Sequence, residues 1–128
     1  MAKRLLLMWV FAVLAATGAM AQAVIKFEKT SHNFGKFKET QKVQYAFTFT
    51  NTGDQPLVIQ QAFASCGCTV ANPPKDPIAP GNKGQITVTF NGKGRFPGYF
   101  KKPITVRSNA ANSMVRVYIE GTLLADDK

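Results

Sequence analysis

The sequence predicts an all-β protein in which two layers of antiparallel strands enclose one apolar core. Apolar and polar side chains alternate through most of the chain, which is typical of strands with one face on a core. Turn residues interrupt this alternation at regular spacing, and no segment after residue 21 shows the i, i+3, i+4 pattern of an amphipathic helix. About seven or eight short strands of this kind are typical of an immunoglobulin-like β-sandwich.

The first 21 residues are predicted to be a cleaved secretory signal peptide. Lys3 and Arg4 precede an unbroken apolar run at 5–16, and the small-x-small pattern Ala19-Met20-Ala21 follows it. A membrane-spanning helix needs about twenty apolar residues, so this run is too short to be one. We therefore expect a periplasmic or secreted protein that is not membrane-spanning after signal removal.

The remaining residues, 22–128, are predicted to form one immunoglobulin-like domain, because the chain is too short for two cores. Four segments alternate clearly: 43–50, 85–90, 104–107 and 115–120. Four weaker strands are expected at 24–28, 32–37, 57–64 and 69–70. Turns are indicated by Asn51-Thr52-Gly53-Asp54 and by Asn91-Gly92, and a proline-rich connection that includes Gly84 is expected at 73–84.

The predicted core contains no inter-sheet disulfide. Antibody-type domains join their sheets through distant cysteines packed on a Trp, whereas this chain has Cys66 and Cys68 two positions apart and its single Trp is Trp9. The core is expected to consist of alternating apolar side chains: Phe47, Phe49, Leu57, Ile59, Ile86, Val88, Phe90, Ile104, Val106, Val115, Val117 and Ile119.

Basic residues outnumber acidic ones, 16 to 7, and the formal net charge is +9. Part of the excess lies in one stretch with interleaved aromatic residues, which makes a candidate patch for an anionic ligand: Lys93, Arg95, Lys101, Lys102 and Arg107. For an exported protein an acidic glycan or lipid surface fits such a patch better than nucleic acid, which is not expected. A solvated strand face is the plainer interpretation, since lysines on an edge also discourage aggregation.

Several segments resemble the bacterial domain of unknown function 1573 family. The resemblance is carried by Phe47-Thr48-Phe49-Thr50-Asn51, Pro56-Leu57-Val58-Ile59, Ser65-Cys66-Gly67-Cys68-Thr69, Pro77-Ile78-Ala79-Pro80-Gly81 and Ile104-Thr105-Val106-Arg107-Ser108-Asn109. It covers roughly Phe27 to Leu123. It implies an immunoglobulin-like sandwich similar to Hydin-like and major-sperm-protein-like domains, which serve in protein contacts, and an exported bacterial protein. It supplies no catalytic residue.

The Ser65–Thr69 segment allows three interpretations. In an extended strand, Cβ atoms two residues apart are separated by about 6.5–7 Å, whereas a disulfide needs about 3.5–4.5 Å. A Cys66–Cys68 disulfide therefore requires a sharp turn, which Gly67 permits because it lacks a Cβ. Structural thiols are the related alternative, and an oxidising compartment favours the disulfide.

The second interpretation is a copper or zinc site in which Cys66 and Cys68 are weak candidate ligands and His32, Met114 or a second copy completes the shell. The third is thiol redox exchange. It lacks the Cys-x-x-Cys motif in a βαβ unit that thioredoxin-like sites use.

Enzymatic activity is not expected. The chain has a single His, His32, with nothing in the spacing to pair it with a thiol, and it carries no phosphate-binding or metalloprotease motif. No catalytic residue and no cofactor are predicted. The favoured function is an extracytoplasmic binding or structural module that contacts another envelope protein or an anionic glycan or lipid surface. The alternative is a small metal-binding or thiol-redox envelope protein that acts through Cys66 and Cys68.

Overall fold

A computed structural model describes residues 21–125, which fold into two four-stranded β-sheets. The predicted signal peptide lies outside the described residues except for Ala21. Eight strands follow one another along the chain: β1 (Ile25–Phe27), β2 (Ser31–Lys38), β3 (Lys42–Asn51), β4 (Ile59–Ala64), β5 (Thr69–Asn72), β6 (Lys83–Asn91), β7 (Gly98–Ser108) and β8 (Met114–Leu124). The fold is the predicted all-β sandwich. Over residues 21–125 there is no helix with the length and apolar character needed to cross a membrane.

The first sheet has the order β1-β3-β6-β5 and the second has the order β2-β8-β7-β4. Every pairing within them is antiparallel, as predicted, except that β2 runs parallel to β8. Parallel neighbours need a long crossover connection, and here the whole of β3 to β7 separates the two strands in the sequence. The alternation of side chains is the same for either direction, so it could not reveal this parallel pair.

The core lies between the sheets and consists of the inward-facing residues of the alternating strands. Its fully buried apolar side chains are Phe47, Phe49, Phe90, Leu57, Ile86, Ile104, Ile119, Val88, Val106 and Val117. Each buried side chain of this size contributes about 1.5–3 kcal/mol before chain entropy is subtracted. The predicted core is confirmed apart from Val115, which is only half-buried. Phe37 joins the core and packs edge-on against Phe90 and Phe100.

Most strands extend beyond their predicted limits, and β6 and β7 show the reasons. β6 begins at Lys83, so Gly84 lies inside the strand and not in the proline-rich connection. The reason is packing, because Gly84 is paired with Phe49, and its missing side chain leaves room for that aromatic ring. β7 begins at Gly98, where it pairs with Leu123 of β8. The first residues of β7 do not alternate clearly between apolar and polar side chains, so the sequence predicted only its later part.

A buried asparagine connects the end of β3 to three other segments. Asn51 is fully buried, and its side-chain amide donates to the carbonyl oxygens of Gln55 and Ile78 at 2.7 and 2.9 Å. Its Oδ1 accepts from the backbone N–H groups of Gly53 and Val24 at 3.0 and 3.4 Å. The turn after β3, the proline-rich connection and the start of β1 are therefore held by one side chain.

Candidate binding edge and disulfide turn

One side of the sandwich carries two edge strands that are joined by the cysteine segment. β4 is an outer strand of the second sheet and β5 is an outer strand of the first. Only the turn at 65–68 separates them in the sequence, so both edges lie on the same side of the molecule. We call β4 and β5 together the β4–β5 side. Within residues 21–125 each of these strands has a single neighbouring strand, and its outer backbone groups face no other strand of the chain.

The β4–β5 side is free of charge. Neither Ile59–Ala64 nor Thr69–Asn72 contains an acidic or basic residue. Phe63 and Val70 retain 40% and 54% of their accessible surface. Exposed edge strands in monomeric proteins usually carry lysine, proline or a bulge that prevents pairing with another chain. Apart from a register irregularity at the beginning of β4, between Ile59 and Gln61, these safeguards are missing here.

The opposite side of the sandwich, formed by β1 and β2, has lysines and a register shift but no proline. β1 is only three residues long and contains Lys26. β2 carries Lys36 and Lys38, and its pairing with β8 shifts register between Asn33 and Lys36. A short strand, exposed lysines and a bulge are the devices that block edge-to-edge association. The two sides of the molecule therefore differ in how open they are to strand addition.

The turn between β4 and β5 contains a disulfide. Cys66 is bonded to Cys68, and their Cα atoms are 5.2 Å apart, so the chain is bent instead of extended at this point. A hydrogen bond from the Thr69 N–H to the Cys66 carbonyl oxygen, at 3.2 Å, closes the turn. The disulfide interpretation is thus confirmed. Gly67 does not adopt a positive φ, and a Cβ at its position would meet no atom within 4 Å, so the turn that Gly67 was expected to permit does not depend on the absence of a Cβ.

The two sulfur atoms have different surroundings. Cys66 is half-buried, and its Sγ accepts a hydrogen bond from Arg95 Nη2 at 2.8 Å and another from the Cys68 N–H at 3.2 Å. Cys68 is only 8% exposed, and its Sγ lies 3.5 Å from the Thr69 hydroxyl. The disulfide closes a loop of three residues, for which loop-closure entropy gives about 1.5 kcal/mol of stabilisation. The bond therefore adds little to a fold that already has a continuous core.

The loop between β6 and β7 brings Arg95 to the disulfide. At the start of this loop the Asn91 N–H donates to the Cys68 carbonyl oxygen at 2.8 Å, which fixes the turn against the end of β6. The next residue after Arg95 is Phe96, whose side chain is 95% exposed. An arginine, an exposed aromatic ring and a disulfide therefore meet at one end of the β4–β5 side.

The five basic residues of the predicted anionic-ligand patch lie in the β6–β7 loop and along β7. Lys93 and Arg95 lie in the β6–β7 loop, and Lys102 is half-buried. Lys101 is paired with Glu120 across the β7–β8 ladder, and its Nζ lies 5.1 Å from the centre of the Tyr118 ring. Arg107 is six residues further along β7, or about 20 Å in an extended strand. Anion binding by this set remains a prediction.

The residues considered as metal ligands are dispersed. His32 is on β2, at the far edge of the second sheet from β4, and Met114 begins β8 opposite Arg107. His32 stacks on Tyr45 with ring centres 3.7 Å apart. Partial burial, and secondarily the charge of Lys29, lowers the pKa of His32 from its ordinary value. In the part of the chain that the structure describes, no group of three or more His, Cys, Asp or Glu side chains could hold a metal ion.

Sequence reasoning found the two cysteines but missed Arg95 as their neighbour. Arg95 follows Cys66 by 29 positions, and nothing in the local pattern relates the two. The contact arises because β5 pairs with β6, so the turn before β5 meets the loop after β6. Phe96 was visible in the sequence only as an aromatic residue among basic ones.

The two sheets, their core and their open edge define an immunoglobulin-like sandwich module. The chain belongs to the family described as "Protein of unknown function (DUF1573)", whose sequence model matches residues 25–123. None of the curated proteins matches the chain in sequence.

Solved structures with the same fold come from bacteria and from man. A Porphyromonas gingivalis W83 protein of unknown function is 17% identical, with a TM-score of 0.70 over 84% of this chain and 50% of its own. The chain thus spans about half the length of that protein. An ASH/PapD-like domain of human CEP192 is 10% identical, with a TM-score of 0.62 over 83% of this chain and 89% of its own. The periplasmic chaperone SfaE is 15% identical, with a TM-score of 0.55 over 80% of this chain and 58% of its own.

Proposed function

We propose that this chain is an exported, non-catalytic binding module that takes up an extended segment of another envelope protein along its β4–β5 side. The observation that carries the proposal is the contrast between the two sides of the sandwich. The β1–β2 side is protected against strand addition by lysines, whereas β4 and β5 are uncharged edge strands with exposed apolar side chains. A register shift occurs in both β2 and β4, so the contrast rests on charge and exposed apolar surface.

Strand addition supplies the physical basis of binding. An edge strand presents unpaired N–H and C=O groups at regular spacing, and an extended peptide can pair with them. Main-chain hydrogen bonds then contribute affinity that depends little on the partner's sequence, and side chains on alternate positions give selectivity. Both β4 and β5 offer such an edge, so either one can accept the partner strand.

The exposed side chains indicate what kind of segment fits. Phe63 on β4 and Val70 on β5 favour apolar residues at the matching positions of the partner. Gln60 and Gln61 are exposed and uncharged, so they can hydrogen-bond without attracting a particular charge. Removal of Lys3 and Arg4 with the predicted signal peptide lowers the formal net charge from +9 to +7, so acidic residues flanking the bound segment would assist its approach.

Two observations support an extracytoplasmic location. The apolar run at 5–16 and the small residues after it have the form of an export signal. Disulfides such as Cys66–Cys68 persist in oxidising compartments and are rare in the cytosol. The periplasmic chaperone SfaE has a similar fold, which is compatible with this location.

Two considerations support a non-catalytic role. His32, the single imidazole of the chain, stacks on Tyr45 at the edge opposite β4 and is remote from the disulfide turn. A surface depression of about 310 Å³ lies beside β1 and is lined by Lys26, Phe27, Glu28, Thr50 and Thr52. Its carboxylate, Glu28, is engaged by Lys83 at 2.9 Å and is not positioned as a free base.

Site-specific photocrosslinking in the native cell tests the proposal. A photoreactive amino acid at Gln61 on β4 is compared with the same residue at Lys36 on β2, which is an equally exposed edge position. We expect a discrete adduct with another envelope protein at Gln61 and none at Lys36. The Phe63→Lys substitution should abolish the Gln61 adduct, because it places a charge on the uncharged edge.

Three outcomes would contradict the proposal. Adducts of equal yield at both positions would show that the edges are equivalent. An adduct with a second copy of this chain, accompanied by a dimer in sedimentation, would make β4 a self-association edge. Binding to anionic lipid vesicles that is lost on Lys101→Gln but unaffected by Phe63→Lys would instead support the basic residues as the binding site.

A further inference from the structure

The environment of Cys66 is complementary to a thiolate and not only to a disulfide. Arg95 Nη2 and the Cys68 N–H both direct hydrogens at Cys66 Sγ, at 2.8 and 3.2 Å. The sulfur of a disulfide is a weak hydrogen-bond acceptor, whereas a thiolate is a full anion. Within residues 21–125 no carboxylate forms an ion pair with Arg95, so its charge is available to Cys66.

The two cysteines also differ in access. Cys66 is half-buried and can be reached by an incoming thiolate, whereas Cys68 is 8% exposed and lies under the turn. Such an asymmetry assigns separate roles to the two sulfurs in thiol–disulfide exchange, because exchange starts at the accessible sulfur. Cys68 is one member of a continuous core to which both sheets contribute many larger side chains, and closure of the three-residue loop adds little stability, so the bond can open without loss of the sandwich.

We propose that Cys66 and Cys68 form a thiol–disulfide exchange site, in which Cys66 is the attacked sulfur, Cys68 is the leaving and resolving sulfur, and Arg95 is a positioning residue that stabilises the Cys66 thiolate. The substrate class is an exported polypeptide that contains two thiols. The reaction is stoichiometric, with one disulfide donated per chain, so it goes beyond the proposed non-catalytic binding function and does not depend on it.

The reaction balances with no further reagent. A substrate thiolate attacks Cys66 Sγ, the Cys66–Cys68 bond breaks, and Cys68 leaves as a thiolate that takes up a proton. The second substrate thiolate then attacks the substrate sulfur of the mixed disulfide, and Cys66 leaves as a thiolate beside Arg95. The substrate gains one disulfide and loses two electrons and two protons, and both cysteines of this chain are reduced.

Arg95 sets the direction of the exchange. A cation beside Cys66 stabilises the reduced form, and a disulfide whose reduced form is stabilised is a better oxidant. Arg95 therefore favours the chain as a donor of disulfides over a role as a reductant. The exposed ring of Phe96, adjacent to Arg95, offers an apolar contact for a polypeptide substrate next to the reacting sulfur.

Single-cysteine variants test the assignment of roles. Cys68→Ser leaves Cys66 alone and Cys66→Ser leaves Cys68 alone, and each purified variant is treated with glutathione disulfide and followed by mass spectrometry. We expect Cys66 to form the mixed disulfide at least about tenfold faster at pH 6.5. Equal rates, or a faster Cys68, would overturn the proposal.

Arg95→Gln in the Cys68→Ser background tests the positioning residue. We expect the rate at pH 6.5 to fall about fivefold and the pH dependence of alkylation to move to higher pH. The matched control is Lys93→Gln, which removes an equal charge from the same loop without touching Cys66 and should leave the rate unchanged. Equal effects of the two substitutions would eliminate the specific role of Arg95.

The rate at which a dithiol peptide in excess reduces the oxidised full chain is measured in a single round of exchange. Phe96→Ala should raise the peptide concentration at half-maximal rate and leave the maximal rate unchanged, whereas Lys36→Gln on β2, at the opposite edge of the same sheet as β4, should affect neither. The circular-dichroism spectrum of the reduced chain serves as a check on folding. A reduced chain that loses its β signal, or a disulfide that no peptide can reduce, would mean that the bond is only structural.

Discussion

Single residues explain much of the rigidity of this molecule, and Asn51 is the clearest case. All four of its hydrogen-bonding positions are used by backbone groups, which come from three separate segments. A buried polar side chain is tolerated when it is fully satisfied, and its loss leaves its partners unpaired. Asn51 therefore has a structural role that its position in a predicted turn did not reveal.

We predict that Asn51→Ala lowers the free energy of unfolding by about 2–4 kcal/mol, because two carbonyls and two N–H groups lose their partner. The measurement is urea denaturation followed by circular dichroism. Asn109→Ala is the control: Asn109 also bonds two backbone groups, Val58 N–H and Pro56 O, but it is exposed, so water replaces it at a cost of about 1 kcal/mol or less. Equal losses for the two variants would contradict the role given to Asn51.

His32 makes stability depend on pH. Its folded-state pKa is lowered by desolvation and by Lys29, so the unfolded chain binds a proton more readily than the folded one. The contribution of neutral His32 to stability is fully present above pH 6.5, the ordinary pKa of histidine. It is lost as the pH falls from 6.5 toward the lower pKa that His32 has in the folded chain.

We predict that the urea midpoint falls between pH 7.5 and pH 5, and that His32→Phe removes part of this decrease. The Phe ring keeps the stacking on Tyr45 but cannot be protonated. Tyr99 does not interfere, because its hydrogen bond to Glu120 raises its pKa above 10.0, away from this range. If the urea midpoint falls equally in the unsubstituted chain and in His32→Phe, the pH dependence comes from the carboxylates and not from His32.

At the scale of elements, the strands follow from the sequence and their partners do not. The alternation at 43–50 and 85–90 predicts β3 and β6 within a few residues. It cannot predict that β4 and β5 occupy edges on one side, because that depends on the pairing order of both sheets. The sequence therefore does not predict that β4 and β5 form one side of the molecule, although it does show that both segments lack charged residues.

Gly84 and Gly67 differ in whether the surrounding structure has room for a side chain. A Cβ on Gly84 would lie 2.6 Å from Phe49 Cζ and 3.0 Å from Ile78 Cδ1, whereas one on Gly67 would meet open space. We predict that Gly84→Ala destabilises by about 1–3 kcal/mol, because core groups must move. Gly67→Ala should stay within about 0.5 kcal/mol. Thermal and urea unfolding measure both, and a larger effect at Gly67 would mean that the disulfide turn needs its glycine.

At the scale of the whole molecule, the sandwich is held by its core and not by its disulfide. The buried side chains of both sheets form a single cluster. The Cys66–Cys68 disulfide adds little stability to this core, because the three-residue loop that it closes hardly restricts the unfolded chain. The sequence led to the same conclusion, since cysteines two positions apart cannot connect two sheets.

We predict that reducing the Cys66–Cys68 bond lowers the free energy of unfolding by about 1.5 kcal/mol. Phe47→Ala, in the centre of the core, should lower it by about 3–5 kcal/mol. Urea titrations with and without a phosphine reductant give both numbers. A loss on reduction as large as that of Phe47→Ala would make the disulfide the main support of the fold.

The sequence by itself determined the fold class, the positions of the strands and the identity of the core, because a period of two assigns each side chain to a face. It also determined that the two cysteines could bond only through a turn. The tertiary structure alone decided that β2 runs parallel to β8, that β4 and β5 share one side, and that Arg95 contacts Cys66. These depend on which strands become neighbours, and pairing between distant segments leaves no trace in the local pattern of either one.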